Sequence, residues 1–412
     1  MKRVSLLIPI LSLTLTSLPV VWGGTNAIQP DKWALWVGGT QLRGANIYQR
    51  RVYPELDGPD FLGPGPLGPP YTQQDFNRLA ALGANYVNVS HPGLFREKPP
   101  YTPDQDVQNN LDRLLDLIAR AGLFAVISFR TGPGRSEFTF FRDGAGVWFD
   151  PSYLNESVWQ DRAAQEAWAA MWRYTAERYR TNPLVVGYDL MVEPNANALL
   201  DIYDPEEFYA TYANSLYDWN QLHPRLSAAI RSRDSQTPIL TGSMSYSSLY
   251  WLPYVKLTND PRTIYTVHQY EPFQYTHQEP DRRGRLPLTY PGRFDIDGDG
   301  VRDEFNRAWL EQYLSAINEF TSTQGVPVAI NEFGAMRWEP GGDTFMDDQM
   351  DLLEQRGINH ALWLWESSWE PLAEEDAFNF RHGPNPNNHI DVAFSELIGV
   401  IVKYWGRNTI RP

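Results

Sequence analysis

Eight short, almost uninterrupted apolar runs recur along the chain, most of them separated by longer amphipathic stretches. This alternation restricts the possible folds more than any other feature. The runs are Leu42–Tyr48, Tyr86–Ser90, Phe124–Phe129, Val185–Met191, Pro238–Gly242, Thr263–Tyr270, Val326–Asn331 and His360–Trp365. A strand apolar on both faces is buried on both faces, as in parallel sheets covered by helices. Between the runs, Thr72 and Asp75 form a capping-box pattern for a helix carrying Phe76, Leu79 and Leu82. Asn109–Ala121 places Leu111, Leu114, Leu115 and Ile118 at helical spacing, with Gly122 as its stop. Asp303–Thr323 and Asp343–Arg356 carry the same period. Eight strands alternating with helices predict an α/β fold of the (β/α)8 TIM-barrel type. A doubly wound sheet would show a glycine-rich phosphate turn after its first strand. The chain has Arg43-Gly44-Ala45-Asn46-Ile47-Tyr48 there instead. Its 412 residues exceed the ~250 of a minimal barrel, so enlarged βα loops are expected at Pro54–Pro70, Gly132–Pro151 and Pro272–Arg302.

The N-terminus reads as an export signal. Lys2 and Arg3 precede an uncharged stretch from Val4 to Val21, followed by Gly23 and Gly24, which is the order of a secretory signal peptide. Residues 1–24 are expected to be removed, leaving 25–412 as one domain, secreted or periplasmic. Ser5, Ser12, Thr14, Thr16 and Ser17 make the stretch a poor permanent span, so no membrane association is expected after cleavage. Acids outnumber Lys and Arg by 50 to 35, for a net charge of −15, which argues against nucleic acid or anionic lipid as partner. The absence of cysteine excludes disulfides, thiolate metal sites and cysteine nucleophiles. No organic cofactor or protein partner is implied. The 15 Trp and 22 Tyr supply flat faces that suit sugar rings as well as a core.

In a barrel, chemistry gathers where the strands end at their C-terminal rim. Two acids stand there: Glu193, after the fourth run and before Pro194, and Glu332, after Val328-Ala329-Ile330-Asn331 on the seventh. Two facing carboxylates are the minimum equipment for glycosidic cleavage, one to protonate the leaving oxygen and one to attack or support the oxocarbenium-like centre.

From Gly44-Ala45-Asn46 to Trp365 the chain resembles glycoside hydrolase family 5, the cellulase-like family of clan A. Glu193-Pro194 is similar to the family's acid/base at the fourth strand, and Glu332-Phe333-Gly334 to its nucleophile at the seventh. Val267-His268-Gln269-Tyr270 matches its sixth-strand His-x-Tyr pair, whose tyrosine orients the nucleophile. Leu362-Trp363-Leu364-Trp365 matches its sugar-stacking tryptophan, placed here at Trp365. The chain departs from the pattern at three strands. Asn88 stands where the family has a second-strand arginine, Arg130 where it has a third-strand histidine, and Val192 where it has the asparagine that binds the sugar 2-hydroxyl. Arg130 is expected to relocate the missing cation, and Asn195 or Asn331 to be open to the 2-hydroxyl role. His91 is read as lining the cleft or capping its strand. His382, Asn385, Asn387, Asn388 and His389 form a polar loop, either cleft wall or plain surface.

Asp295-Ile296-Asp297-Gly298-Asp299-Gly300-Val301-Arg302-Asp303 has acids at positions 1, 3, 5 and 9 and glycine at 6, similar to the calcium loop of EF-hand-like sites. A structural Ca²⁺ is expected on Asp295, Asp297, Asp299, Asp303 and the Val301 carbonyl. The combined expectation is an exported retaining β-glycosidase acting on a β-glycan, with β-1,4-glucan favoured and mannan possible. The rivals are a carbohydrate-binding barrel with impaired catalysis and a transglycosylase.

Overall fold

The computed structural model describes residues 31–58, 60–279 and 287–412. The expected signal segment lies outside them. Eight parallel strands close into a barrel: β1 (Arg43–Tyr48), β2 (Tyr86–Pro92), β3 (Phe124–Thr131), β4 (Val185–Asp189), β5 (Ile239–Gly242), β6 (Thr263–Gln269), β7 (Val328–Phe333) and β8 (His360–Leu362). Each pairs with its sequence neighbours, and β1 closes against β8 through Gly44 opposite Ala361. All eight predicted runs are strands. β4 and β8 stop earlier than expected, at Asp189 and Leu362.

Among the described residues, seven helices of nine residues or more surround the barrel: α1 (Gln73–Ala81), α2 (Gln105–Arg120), α3 (Arg162–Tyr179), α4 (Trp219–Arg231), α5 (Arg307–Gln324), α6 (Gly342–Gln355) and α7 (Glu396–Trp405). The capping box of α1 forms in both directions between Thr72 and Asp75. Only short helical turns join β5 to β6. The stretch predicted helical from Asp303 begins differently. Asp303–Phe305 pairs antiparallel with Gly292–Phe294, and the helix starts at Arg307, where the Asn306 side chain accepts the amides of Ala308 and Trp309.

The barrel interior changes character along its axis. At the N-terminal end, Tyr86, Phe124, Val126, Val186, Leu240, Ile264, Ala329 and Ala361 close on Trp36, forming an apolar plug. Trp36 donates its indole N–H to the Val186 carbonyl. Alternate residues of the same strands, such as Val87, Ala125, Ile127 and Val267, face the helices in the main core. On β2, β3 and β6 the inward residues two positions further along are polar: Asn88, Ser128 and Thr266. Continued alternation then brings Arg130 and His268 to the rim. In β7 the register slips: Ala329 faces Thr266 and Glu332 faces His268, three steps against two. This extra residue is a β-bulge, and it brings Glu332 into phase with His268.

Candidate active site

After β4, Leu190 and Val192 remain tied to neighbouring strands through the Leu240 and Phe129 carbonyls, at 3.1 and 2.9 Å. Glu193 then adopts φ +55°, a left-handed conformation that costs a non-glycine residue about 1–3 kcal/mol. Arg135 holds it there. Its fully buried guanidinium donates to the carbonyls of Arg130, Val192 and Glu193 at 2.7, 2.6 and 2.7 Å. Across the barrel the Tyr270 hydroxyl donates to Glu332 Oε1 at 2.9 Å. His268 Nδ1 sits between the acids, 2.9 Å from Glu193 Oε1 and 3.5 Å from Glu332 Oε2. Carboxylate oxygens of Glu193 and Glu332 come within 4.8 Å of each other.

Burial alone would push the His268 imidazolium down, but the charges of Glu332, Glu193 and Asp189 outweigh it and lift the group to about 9. Burial pushes the Glu332 carboxyl up, to about 7, against the His268 charge, with Glu193 adding to the rise. Asp189 beneath them is likewise raised by burial, to about 6, and accepts from Asn331 Nδ2 at 3.0 Å.

Arg130 borders the same cleft, bonded to Glu137 at 3.1 Å and lying 4.1 Å above the Phe140 ring and 5.6 Å from Trp363. Tyr48 donates to Glu137 Oε1 at 2.9 Å. The cleft, about 580 Å³, is lined by Glu193, Glu332, His268, Tyr270, Arg130 and Trp363, among others. Phe140, Phe141, Tyr203 and Tyr246 also line a second cavity of about 570 Å³ that carries the groove toward Trp148.

Four sequence expectations are corrected. Trp365 does not line the cleft: it is buried, donates to the Asp75 carbonyl and packs on Phe380. With β8 ending at Leu362, Trp363 takes the floor position. His91 is fully buried, held by the Pro92 carbonyl at 2.7 Å and by Asn110, and burial depresses its imidazole to about 4. It is a core histidine of β2. Asn88 lies below the cleft, donating to Asn46 and accepting from Ser128, both at 2.6 Å. Neither Asn195 nor Asn331 lines the cleft. Asn195 is bonded to Thr139 and Asn331 to Asp189. Val192 is also buried away from the lining. No motif in the sequence singles out Arg135, Glu137 or Phe140 as site residues, and Trp363 is marked only as a neighbour of Trp365 in Leu362-Trp363-Leu364-Trp365.

In the acidic turn, carboxylate oxygens of Asp295, Asp297 and Asp303 converge within 4.8 Å. Asp299 is not part of that group; its carboxylate accepts the Val301 amide at 2.7 Å. The Asp295 carboxylate accepts the amides of Gly298 and Gly300, and Asp303 that of Ile296. Each oxygen keeps lone pairs beyond these bonds, so the three converging acids fit a hard cation.

Residues 55–368 match the sequence model of the family Cellulase (glycosyl hydrolase family 5). The chain belongs to this family. It is therefore a glycoside hydrolase, of a family whose substrates are β-glycans. Among its relatives, Endoglucanase C of Acetivibrio thermocellus is 21% identical over 337 residues, covering 74% of this chain and 87% of that protein. The Beta-xylosidase of Phanerodontia chrysosporium is 23% identical over 312 residues, covering 72% of this chain and 56% of that protein. Endoglucanase Cel5A of Thermotoga maritima superposes with a TM-score of 0.60 at 18% identity, over 90% of this chain and 98% of that one. That likeness establishes the barrel. Both Glu193 and Glu332 lie within the matched residues. Of the positions where the sequence departs from the family pattern, Arg130 lines the cleft, whereas Val192 and Asn88 do not.

Proposed function

We propose that this family 5 member is an exported retaining β-glycosidase that hydrolyses β-1,4-glucan in endoglucanase fashion. The observation that carries the reading is the approach of the two carboxylates to within 4.8 Å, which suits the ~5–5.5 Å of retaining enzymes better than the ~6.5–9.5 Å of inverting ones. Glu332, the more enclosed acid and the one bonded by Tyr270, attacks the anomeric carbon as the C–O bond to the leaving sugar breaks. Glu193, partly open to solvent, gives its proton to that leaving oxygen. Water then attacks the anomeric carbon of the glycosyl–Glu332 ester, losing its proton to Glu193 as the bond to the Glu332 carboxylate breaks. Endo action is supported by the groove continuing past Phe141 toward Trp148. The glucan preference rests on relatives named endoglucanases, and export on the charged, apolar and small-residue order of residues 1–24.

Cellopentaose, mannopentaose and xylopentaose cleavage followed by ¹H NMR tests the reading. Cellopentaose is expected to give β-anomeric product first, and Glu332→Gln and Glu193→Gln to lose roughly 10²–10⁴ in kcat. Initial α-product would replace retention by inversion. Larger products with added acceptor would make the enzyme a transglycosylase. Binding without turnover by the wild type would support the impaired barrel.

We also propose Ca²⁺ at Asp295, Asp297 and Asp303, with a structural role. Chelation is expected to lower Tm, added Ca²⁺ to raise it again, and Asp297→Ala to abolish that response to Ca²⁺. Coincident melting curves with and without chelator would remove the ion.

A further inference from the structure

A second convergence of ligating side chains lies in the long loop from Trp363 to Ser395, outside the catalytic cleft. Among the described residues this loop carries only two short 3₁₀ turns. A loop this long without regular structure needs some other tie. Asp376, His382 and His389 each offer a ligand atom there, and the three atoms lie within 4.8 Å of one another. His382 Nδ1 meets Asp376 Oδ2, and His389 Nδ1 is 3.5 Å from Asp376 Oδ1. The Asp376 side chain is 1% exposed and that of His389 is 37%, so the group runs from the interior to the surface. His389 and His382 border an open cavity of about 410 Å³.

We propose that Asp376, His382 and His389 bind a transition-metal dication of the Zn²⁺ class, which clips the loop after β8 to the barrel. Two imidazoles and one carboxylate form a borderline nitrogen–oxygen set suited to zinc, with the fourth tetrahedral position left to water from the cavity. Behind the group, Asp391 Oδ1 faces His382 Nε2 at 3.6 Å. This is the carboxylate–histidine–metal order that fixes a ligand's ring. Three cations oppose a dication: Arg337 touches Asp376 at 3.0 Å, and Arg381 and Arg78 pair with Asp391 at 2.9 and 2.7 Å, one shell further out. The Arg337 charge is shared out, however, because it also donates to the carbonyls of Gly383, Asn385 and Asn388 at 2.6, 2.6 and 2.9 Å. The Asp376 carboxylate is therefore not its sole acceptor.

The clip bears on the cleft through Phe378, two residues beyond Asp376. Its ring lies 6.0 Å from that of Tyr270 and 5.1 Å from that of His277. The intervening Ala377 carbonyl accepts the Arg337 amide at 2.8 Å. A metal on Asp376 thus steadies one wall of the catalytic groove without touching substrate.

The test uses the mature chain without a histidine tag, stripped by chelator, desalted and held in excess Ca²⁺ so that the acidic turn does not compete. Zinc chloride is titrated calorimetrically, and retained metal is counted by elemental analysis. One equivalent is expected, with a rise in Tm. His389→Ala, at the exposed end of the group, is expected to weaken binding at least roughly tenfold, with its metal-free melting curve recorded to show that it folds. Glu332→Gln is expected to leave binding intact. Three outcomes would overturn the proposal: no saturable zinc binding, binding indifferent to His389→Ala, or binding lost in Glu332→Gln. The last would place the ion between the catalytic acids.

Discussion

At the scale of single residues, the two tryptophans of the eighth strand separate what sequence carries from what it does not. Alternation along a strand gives residues 363 and 365 the same face, so the motif alone does not choose between them. The strand ends at Leu362, and beyond it alternation no longer holds. Trp363 lies in the cleft beside Arg130, whereas Trp365 packs between Phe380 and Arg381. Trp363→Ala is accordingly expected to raise KM for cellopentaose roughly tenfold, about 1.4 kcal/mol, with little change in Tm. Trp365→Ala is expected to cost about 3–5 kcal/mol of stability while the folded fraction keeps its KM. Kinetics and melting curves on the two variants check both halves, and an exchanged pattern would restore Trp365 as the floor. Arg135 illustrates a different limit. Its function is to hold carbonyls from two separate segments, and no spacing in the sequence announces that.

At the scale of elements, the strands were legible because burial on both faces leaves a continuous apolar run. Their phase at the rim was not. The bulge in β7 that aligns Glu332 with His268 inserts one residue without any compositional mark. The loop after β3 was legible only as surplus length. In the structure it supplies Glu137 to Arg130, Arg135 to the Glu193 backbone, and an aromatic cluster of Phe138, Phe141, Trp148 and Phe149. Phe141 and Trp148 stay about half exposed along the extended groove, an arrangement that suits stacking against further sugar units. Trp148→Ala is expected to raise KM several-fold on cellopentaose and longer chains and to leave cellobiosides unaffected. Equal effects on short and long substrates would show that the ring supports the loop and not the glycan.

At the scale of the whole molecule, the fold follows from eight apolar runs, and the carboxylate pair follows from where two of those runs end. The electrostatic coupling across the barrel does not, because it depends on β4, β6 and β7 meeting at one point. His268 is the centre of that coupling. Its imidazolium is lifted from an ordinary 6.5 to about 9 in the folded protein by Glu332, Glu193 and Asp189, against the cost of burial. A group whose folded value is raised binds its proton more tightly in the folded state. Its contribution to stability is therefore complete below about pH 6.5 and is lost as pH rises through about 9. His268→Gln keeps a similar volume and removes the charge, leaving the two acids to repel each other uncompensated. The Tm advantage of the wild type over this variant should be largest near pH 6.5 and shrink steadily to about pH 10. Surface groups titrate alike in both proteins and cancel in the difference. A gap that stays constant across this range would mean that His268 stabilises the barrel by packing alone. In that case Glu193 and Glu332 are held apart by the scaffold and not by the charge between them.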